Sequence, residues 1–102
     1  MDDEVHESMK VINKKTYHQL ERIMKGVSNH RRIQILELLK EKPEISVLDI
    51  SRILNVNFKT ISDHVRRLAI AGFVLKRSDG HSVRHKVTER GLQVLKFLRT
   101  LE

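Results

Sequence analysis

A mainly α-helical domain carrying one small β-hairpin is the fold class this sequence predicts. Three observations lead there. The 102 residues hold one Pro and four Gly but many Leu, Ile, Lys, Arg and Glu, a balance that favours helices. Apolar residues return at helical spacing in five separate stretches. Only one place reads as β-structure, two short runs of β-forming residues on either side of Asp79-Gly80. A chain of this length is expected to form one domain, residues 1–102.

Each element can be justified in turn. A first helix is expected over Met9 to Val27, where Met9, Ile12, Leu20, Ile23 and Val27 keep a broken helical period with Tyr17 close by. Residues 1–8 are expected to be disordered. Ser28-Asn29 is a capping signal for a second helix, Arg31 to Lys40, with Ile33, Ile35, Leu36, Leu38 and Leu39; Lys42-Pro43 ends it. A short third helix starts at Ser46, where Asp49 three residues on completes a capping-box-like pair. Val47, Ile50 and Ile53 or Leu54 supply its inner face. Asn55-Val56-Asn57 forms a turn of about three residues, and a fourth helix runs to Ala71 before Gly72 stops it.

The fourth helix organises the rest. Ile61, Val65, Leu68 and Ala69 recur on one side and are expected to face inward. Phe58, Lys59, Ser62, Asp63, Arg66 and Arg67 make a polar, mostly cationic front. Two short helices joined by such a turn, residues 46–71, form a helix-turn-helix unit, whose second member enters the DNA major groove. The β-runs Phe73 to Arg77 and Val83 to Val87 follow, spanning 73–87 as a basic ribbon beside that helix. Phe73, Leu75, Val83 or His85, and Val87 are expected to point inward. Thr88 caps a last helix, 88–101.

Charge supports the same partner. The net charge is +7 and the sequence pI is near 10.1. Between Asn57 and Lys86 stand seven cations, Lys59, Arg66, Arg67, Lys76, Arg77, Arg84 and Lys86, against Asp63 and Asp79. Such concentration points to an anionic partner rather than to solubility alone. The first ten residues are instead acidic. With no cysteine there is no disulfide framework and no thiolate metal site. No apolar run approaches the roughly 18 residues that span a bilayer, and the acidic N-terminus lacks an export signal. A cytoplasmic location with no membrane partner is the expectation.

The last helix carries too many apolar residues for one stripe: Leu92, Val94, Leu95, Phe97, Leu98 and Leu101. The first helix has a similar surplus. Together they predict a two-helix homodimer interface using Ile12, Leu20, Ile23, Val94, Leu95, Leu98 and Leu101.

Several stretches resemble a known family. The run from Arg22 to Leu39, with Arg32 at a characteristic arginine, the run from Thr60 to Val74, including Ser62, His64, Leu68 and Ala71-Gly72, and Thr88-Glu89-Arg90-Gly91 are similar to the winged helix-turn-helix repressors of the ArsR/SmtB family. The likeness covers roughly residues 20 to 100. It implies five helices with a two-stranded wing, a homodimer, and repression by blocking polymerase. Metal-sensing members carry Glu-Leu-Cys-Val-Cys-Asp-Leu where this chain reads Glu44-Ile45-Ser46-Val47-Leu48-Asp49-Ile50. Soft metals need those thiolates. Other members use His on the last helix, which here has none, so no metal and no cofactor is expected.

The candidate DNA contacts are Asn57, Phe58, Lys59, Thr60, Ser62, Asp63, Arg66 and Arg67 on the helix, and Lys76, Arg77, Arg84 and Lys86 on the ribbon. Asp63 opposes phosphate and is expected to pair with Arg66 or Arg67. His81 is a weaker candidate, and Arg31 and Lys40 are peripheral. The six histidines show no ligand spacing, and His64 is expected to bond within the motif or to a phosphate. Ser62-Asp63-His64 is no catalytic triad, because neighbours on a helix point in different directions. The chain therefore reads as a non-enzymatic, sequence-specific regulator binding double-stranded DNA at an inverted repeat. The alternative is a winged-helix protein-interaction module with nonspecific DNA affinity. No small-molecule effector is legible.

Overall fold

The computed structural model describes residues 14–102, so the expected disorder of 1–8 and residues 9–13 of the expected first helix, Ile12 among them, lie outside the described residues. Among the described residues five helices and one hairpin follow in order: α1 (Tyr17–Val27), α2 (His30–Glu41), α3 (Val47–Leu54), α4 (Phe58–Ile70), β1 (Val74–Ser78), β2 (Val83–Val87) and α5 (Glu89–Arg99).

Local chemistry sets most boundaries. Helix α1 begins at Tyr17, later than its apolar period suggested, because Thr16 and Gln19 form a full capping box that starts the helix there. Asn29 caps α2 by accepting from the Arg31 and Arg32 amides. The Ser46–Asp49 capping box opens α3, as expected. Asn55 then takes a left-handed conformation, and the Ser51 hydroxyl donates to the Val56 carbonyl at 2.6 Å, fixing the turn into α4. Asn57 caps α4 through the Lys59 and Thr60 amides.

Helix α4 ends in a Schellman turn. The Phe73 amide donates to Leu68 O at 2.9 Å and the Gly72 amide to Ala69 O at 3.0 Å. Gly72 has φ +83°, a conformation that only glycine takes without strain.

The core gathers Ile35, Leu36 and Leu39 of α2, Ile50 of α3, Ile61, Val65 and Leu68 of α4, Phe73, Val74, and Val94 and Leu95 of α5. Helix α2 lies at its centre and touches α4, α5 and β2, while α1 packs on α4. At that crossing, a Cβ on Gly26 would collide with Ala71, so the absent side chain lets the two helices meet.

The hairpin is antiparallel, with Val74 opposite Val87 and Lys76 opposite His85. Leu75 is exposed, contrary to expectation. The Schellman turn takes up Phe73, so the strand's alternation starts at Val74, and Val74, His85 and Val87 face the domain. Val83 is also exposed, and His85 fills the inward place at 2% exposure. A third segment joins the sheet: Ile45 bridges His85, with the His85 amide donating to Ile45 O and the Glu44 amide to His85 O, both at 2.9 Å.

Two residues expected at a dimer surface are buried within this chain itself. Val94 and Leu95 pack into the domain's own core, 9% and 4% exposed, because α5 must cover α2 before it can serve a partner. Ile23 and Leu98 are also packed against that core. On the terminal helices the apolar surface left over is Tyr17, Leu20 and Met24 of α1, with Leu92, Phe97 and Leu101 on or just after α5; Leu48, Ile53, Phe58, Ile70, Leu75 and Val83 are exposed elsewhere.

Candidate nucleic-acid interface

Helix α4 is pinned by its back. Ile61, Val65 and Leu68 have 0–1% exposure, which fixes its rotation and turns Phe58, Lys59, Arg66 and Arg67 outward. Ser62 and Asp63 are partly exposed beside them. Asn57 already uses its side-chain oxygen as the helix cap, which leaves its amide nitrogen for a phosphate or base.

Asp63 does not stand alone before an anion. Its two oxygens accept from Arg66 at 2.7 Å and from Arg67 at 3.0 Å, one turn along the same helix. These charge-assisted bonds hold the Asp63 carboxyl below its usual range. Both arginines are thus tied side-on across α4, and each must share itself with Asp63 if it also meets phosphate.

A second link holds the helix from behind. Arg32 of α2 donates from Nε to His64 Nδ1 at 3.1 Å, and from Nη1 to the carbonyls of Lys25 at 3.1 Å and Gly26 at 3.3 Å. One guanidinium therefore joins the end of α1 to α4. Nδ1 can accept only when unprotonated, so the imidazole is neutral with its proton on Nε2. Burial, followed by the charge of Arg32, pushes the His64 pKa down and keeps it so. Nothing local in the sequence announces this contact, which spans 32 positions.

The wing adds cations at a second place. Its tip is built on Asp79, which accepts from the His81 and Ser82 amides and from Arg84 Nε at 3.0 Å. Arg77 pairs with Glu44 at 3.1 Å. Lys59, Lys76 and Lys86 form no ion pair among the described residues, so they can meet phosphate at no internal cost. His85, between the wing and Ile45, holds its Nδ1 3.0 Å from the Ile45 carbonyl. Burial lowers its pKa, and the Lys76 charge adds to this against the opposing effect of that hydrogen bond.

Among the described residues no group of three or more His, Cys, Asp or Glu could hold a metal ion. Ser46 and Leu48 stand at the two positions compared above with thiols; Ser46 caps α3 and Leu48 is exposed. No described helix is long and apolar enough to cross a membrane.

Comparison with known proteins agrees with this architecture. Residues 28–74 match the family described as winged helix-turn-helix DNA-binding. The solved homodimeric winged helix-turn-helix DNA-binding domain of a possible ArsR-family regulator from Mycobacterium bovis superposes with a TM-score of 0.74 and 24% identity. That match covers 88% of this chain and 89% of the other. An ArsR-like transcriptional regulator from a Rhodococcus species gives a TM-score of 0.66 and 26% identity over 83% of this chain and 77% of its own.

The fold is a winged helix-turn-helix, similar to that of ArsR-like regulators.

An uncharacterized protein of Methanocaldococcus jannaschii is 35% identical to this ArsR-like chain over 69 residues, 67% of its length. The chain spans about a quarter (25%) of that curated relative. The fold is that of winged helix-turn-helix DNA-binding domains.

Proposed function

We propose that this ArsR-like protein is a cytoplasmic, homodimeric transcription regulator that reads an inverted-repeat operator and represses. Residues 46–71 serve as the reading unit, 73–87 as the wing, and 88–101 with α1 as the dimerisation surface. The observation that carries the reading is the disposition of α4. Its apolar back is sealed in the core, its front is cationic, and beside it stands a wing bearing two lysines unpaired among the described residues.

Roles follow from chemistry. Lys59, Lys76 and Lys86 take phosphates, while Ser62, Thr60 and the Asn57 amide reach base edges or phosphate. Phe58, half-exposed at the first turn of α4, offers an apolar contact to thymine methyl groups. Arg66, Arg67, Arg77 and Arg84 make longer-range contributions, each shared with a carboxylate partner. The stripe Tyr17, Leu20 and Met24 and the exposed Leu92, Phe97 and Leu101 support self-association, since apolar surface grouped on the terminal helices needs a cover.

Selection from a random DNA pool followed by footprinting tests this. An enriched inverted repeat, with half-sites centred about 34–36 Å apart along the duplex, is expected. Failure to enrich any sequence would leave a protein-interaction module using the same apolar helices.

A further inference from the structure

Between α1 and the second half of α4 lies an open cavity of about 520 Å³. Seven Lys and Arg side chains line it, with no carboxylate among the lining residues, and Ile23, Ile70 and Ala71 form an apolar part. Two carboxylates reach those cations from outside. Glu21 pairs with Lys25 at 2.7 Å, and Asp63 holds Arg66 and Arg67. Lys15 and Arg22 form no ion pair among the described residues. Crowding is felt inside: burial and the neighbouring Arg67 charge push the Arg32 guanidinium below its usual value. Ile70 is left 75% exposed at this edge. A few hundred Å³, convergent charge and an apolar wall together suit a small molecule.

We propose that this cavity takes a nucleotide-sized polyphosphate anion, and that its binding weakens DNA binding by drawing Arg66 and Arg67 away from Asp63. The phosphates compete for the guanidinium groups that now neutralise Asp63. The apolar part of the ligand rests on Ile70 and Ile23. An unpaired Asp63 then faces the DNA phosphates from the same helix as Lys59 and Ser62 and repels them. The cavity is distinct from the first turn of α4, the part of a recognition helix that meets base edges. Only the effect on DNA rests on the function proposed above; the binding of the anion does not.

The test uses the full chain with inorganic tripolyphosphate and with ATP as probes, by isothermal titration calorimetry at fixed ionic strength without DNA. Saturable binding of one ATP per chain, tighter than tripolyphosphate, is expected. The pair Lys15→Gln with Arg22→Gln, neither of which holds a fold contact, should weaken ATP at least about tenfold while melting and DNA affinity stay within about twofold. ATP should also weaken DNA binding of the parent protein and do so less in Asp63→Asn. Absence of saturable binding, or binding indifferent to the double substitution, overturns the site. Loss of DNA affinity in place of ATP affinity would make the cavity a seat for the DNA backbone and overturn it as well. ATP binding without any effect on a DNA complex overturns the coupling alone. A protein that binds ATP but no DNA sinks the proposed function and leaves the site standing.

Discussion

Replacing Arg32 by methionine removes one guanidinium and tests whether it fastens α4 to the rest of the domain. Methionine keeps the helix propensity and much of the packing. What is lost is three hydrogen bonds, to Lys25 O at 3.1 Å, Gly26 O at 3.3 Å and His64 Nδ1 at 3.1 Å. A bond from a charged donor contributes about 1.5–3 kcal/mol when fully desolvated. Arg32 is only partly buried, so about 1 kcal/mol each is the appropriate scale. The expected cost is therefore about 3 kcal/mol, or a fall of about 12–24 °C in melting temperature for a domain of this size. A double-mutant cycle with His64→Ala isolates the Arg32–His64 bond, expected near 1 kcal/mol at pH 7.5. Burial and the Arg32 charge lower the His64 pKa, so the ring accepts throughout the neutral range and the coupling should fade only as pH drops through that lowered value. Chemical denaturation of the four proteins at pH 7.5 measures it. A coupling within about 0.3 kcal/mol of zero at pH 7.5 would refute the tether.

Other outcomes follow from the same geometry. Gly72→Ala places a Cβ at φ +83° and 2.7 Å from Arg90 Nη1, so thermal melts should show a loss of about 1–2 kcal/mol. Burial lowers the folded-state pKa of His85 below the ordinary 6.5, so the unfolded chain takes up the proton first. The stability His85 supplies is complete above that ordinary value and is lost as pH falls toward the folded pKa; His85→Leu should flatten the slope of stability against pH in that range. Lys59→Ala and Lys76→Ala should each reduce the salt slope of DNA affinity by about 1, read by titrations at several salt concentrations. A slope equal to that of the parent protein would remove that lysine from the phosphate contacts.

Local features were legible because both partners of each contact sit within one helical turn. Ser46 with Asp49, Asn29 before its helix, and Asp63 with Arg66 and Arg67 are all of this kind. The Thr16–Gln19 box was equally local, yet it was obscured by the apolar residues before it, whose broken period suggested a longer helix. Long-range contacts left no such trace. Ile45 meets His85 across 40 positions, and Arg32 meets His64 across 32. Either histidine could have been solvated as far as spacing can tell. Leu75 shows a third limit: alternation fixes a strand's faces only once its first residue is known, and the Schellman turn decided that. On α5 the number of apolar residues indicated a surplus, but which of them the core consumes is a packing result. Val94 and Leu95 went inward, while Phe97 and Leu101 stayed out.

Under the proposed function, α4 and the wing read DNA sequence. Fluorescence anisotropy of a labelled, pool-selected duplex against a scrambled one, at several salt concentrations, tests it most directly. A preference of at least roughly a thousandfold for the selected duplex is expected. Equal binding to both, vanishing as salt rises, would contradict it and reduce the cationic face to a nonspecific footing.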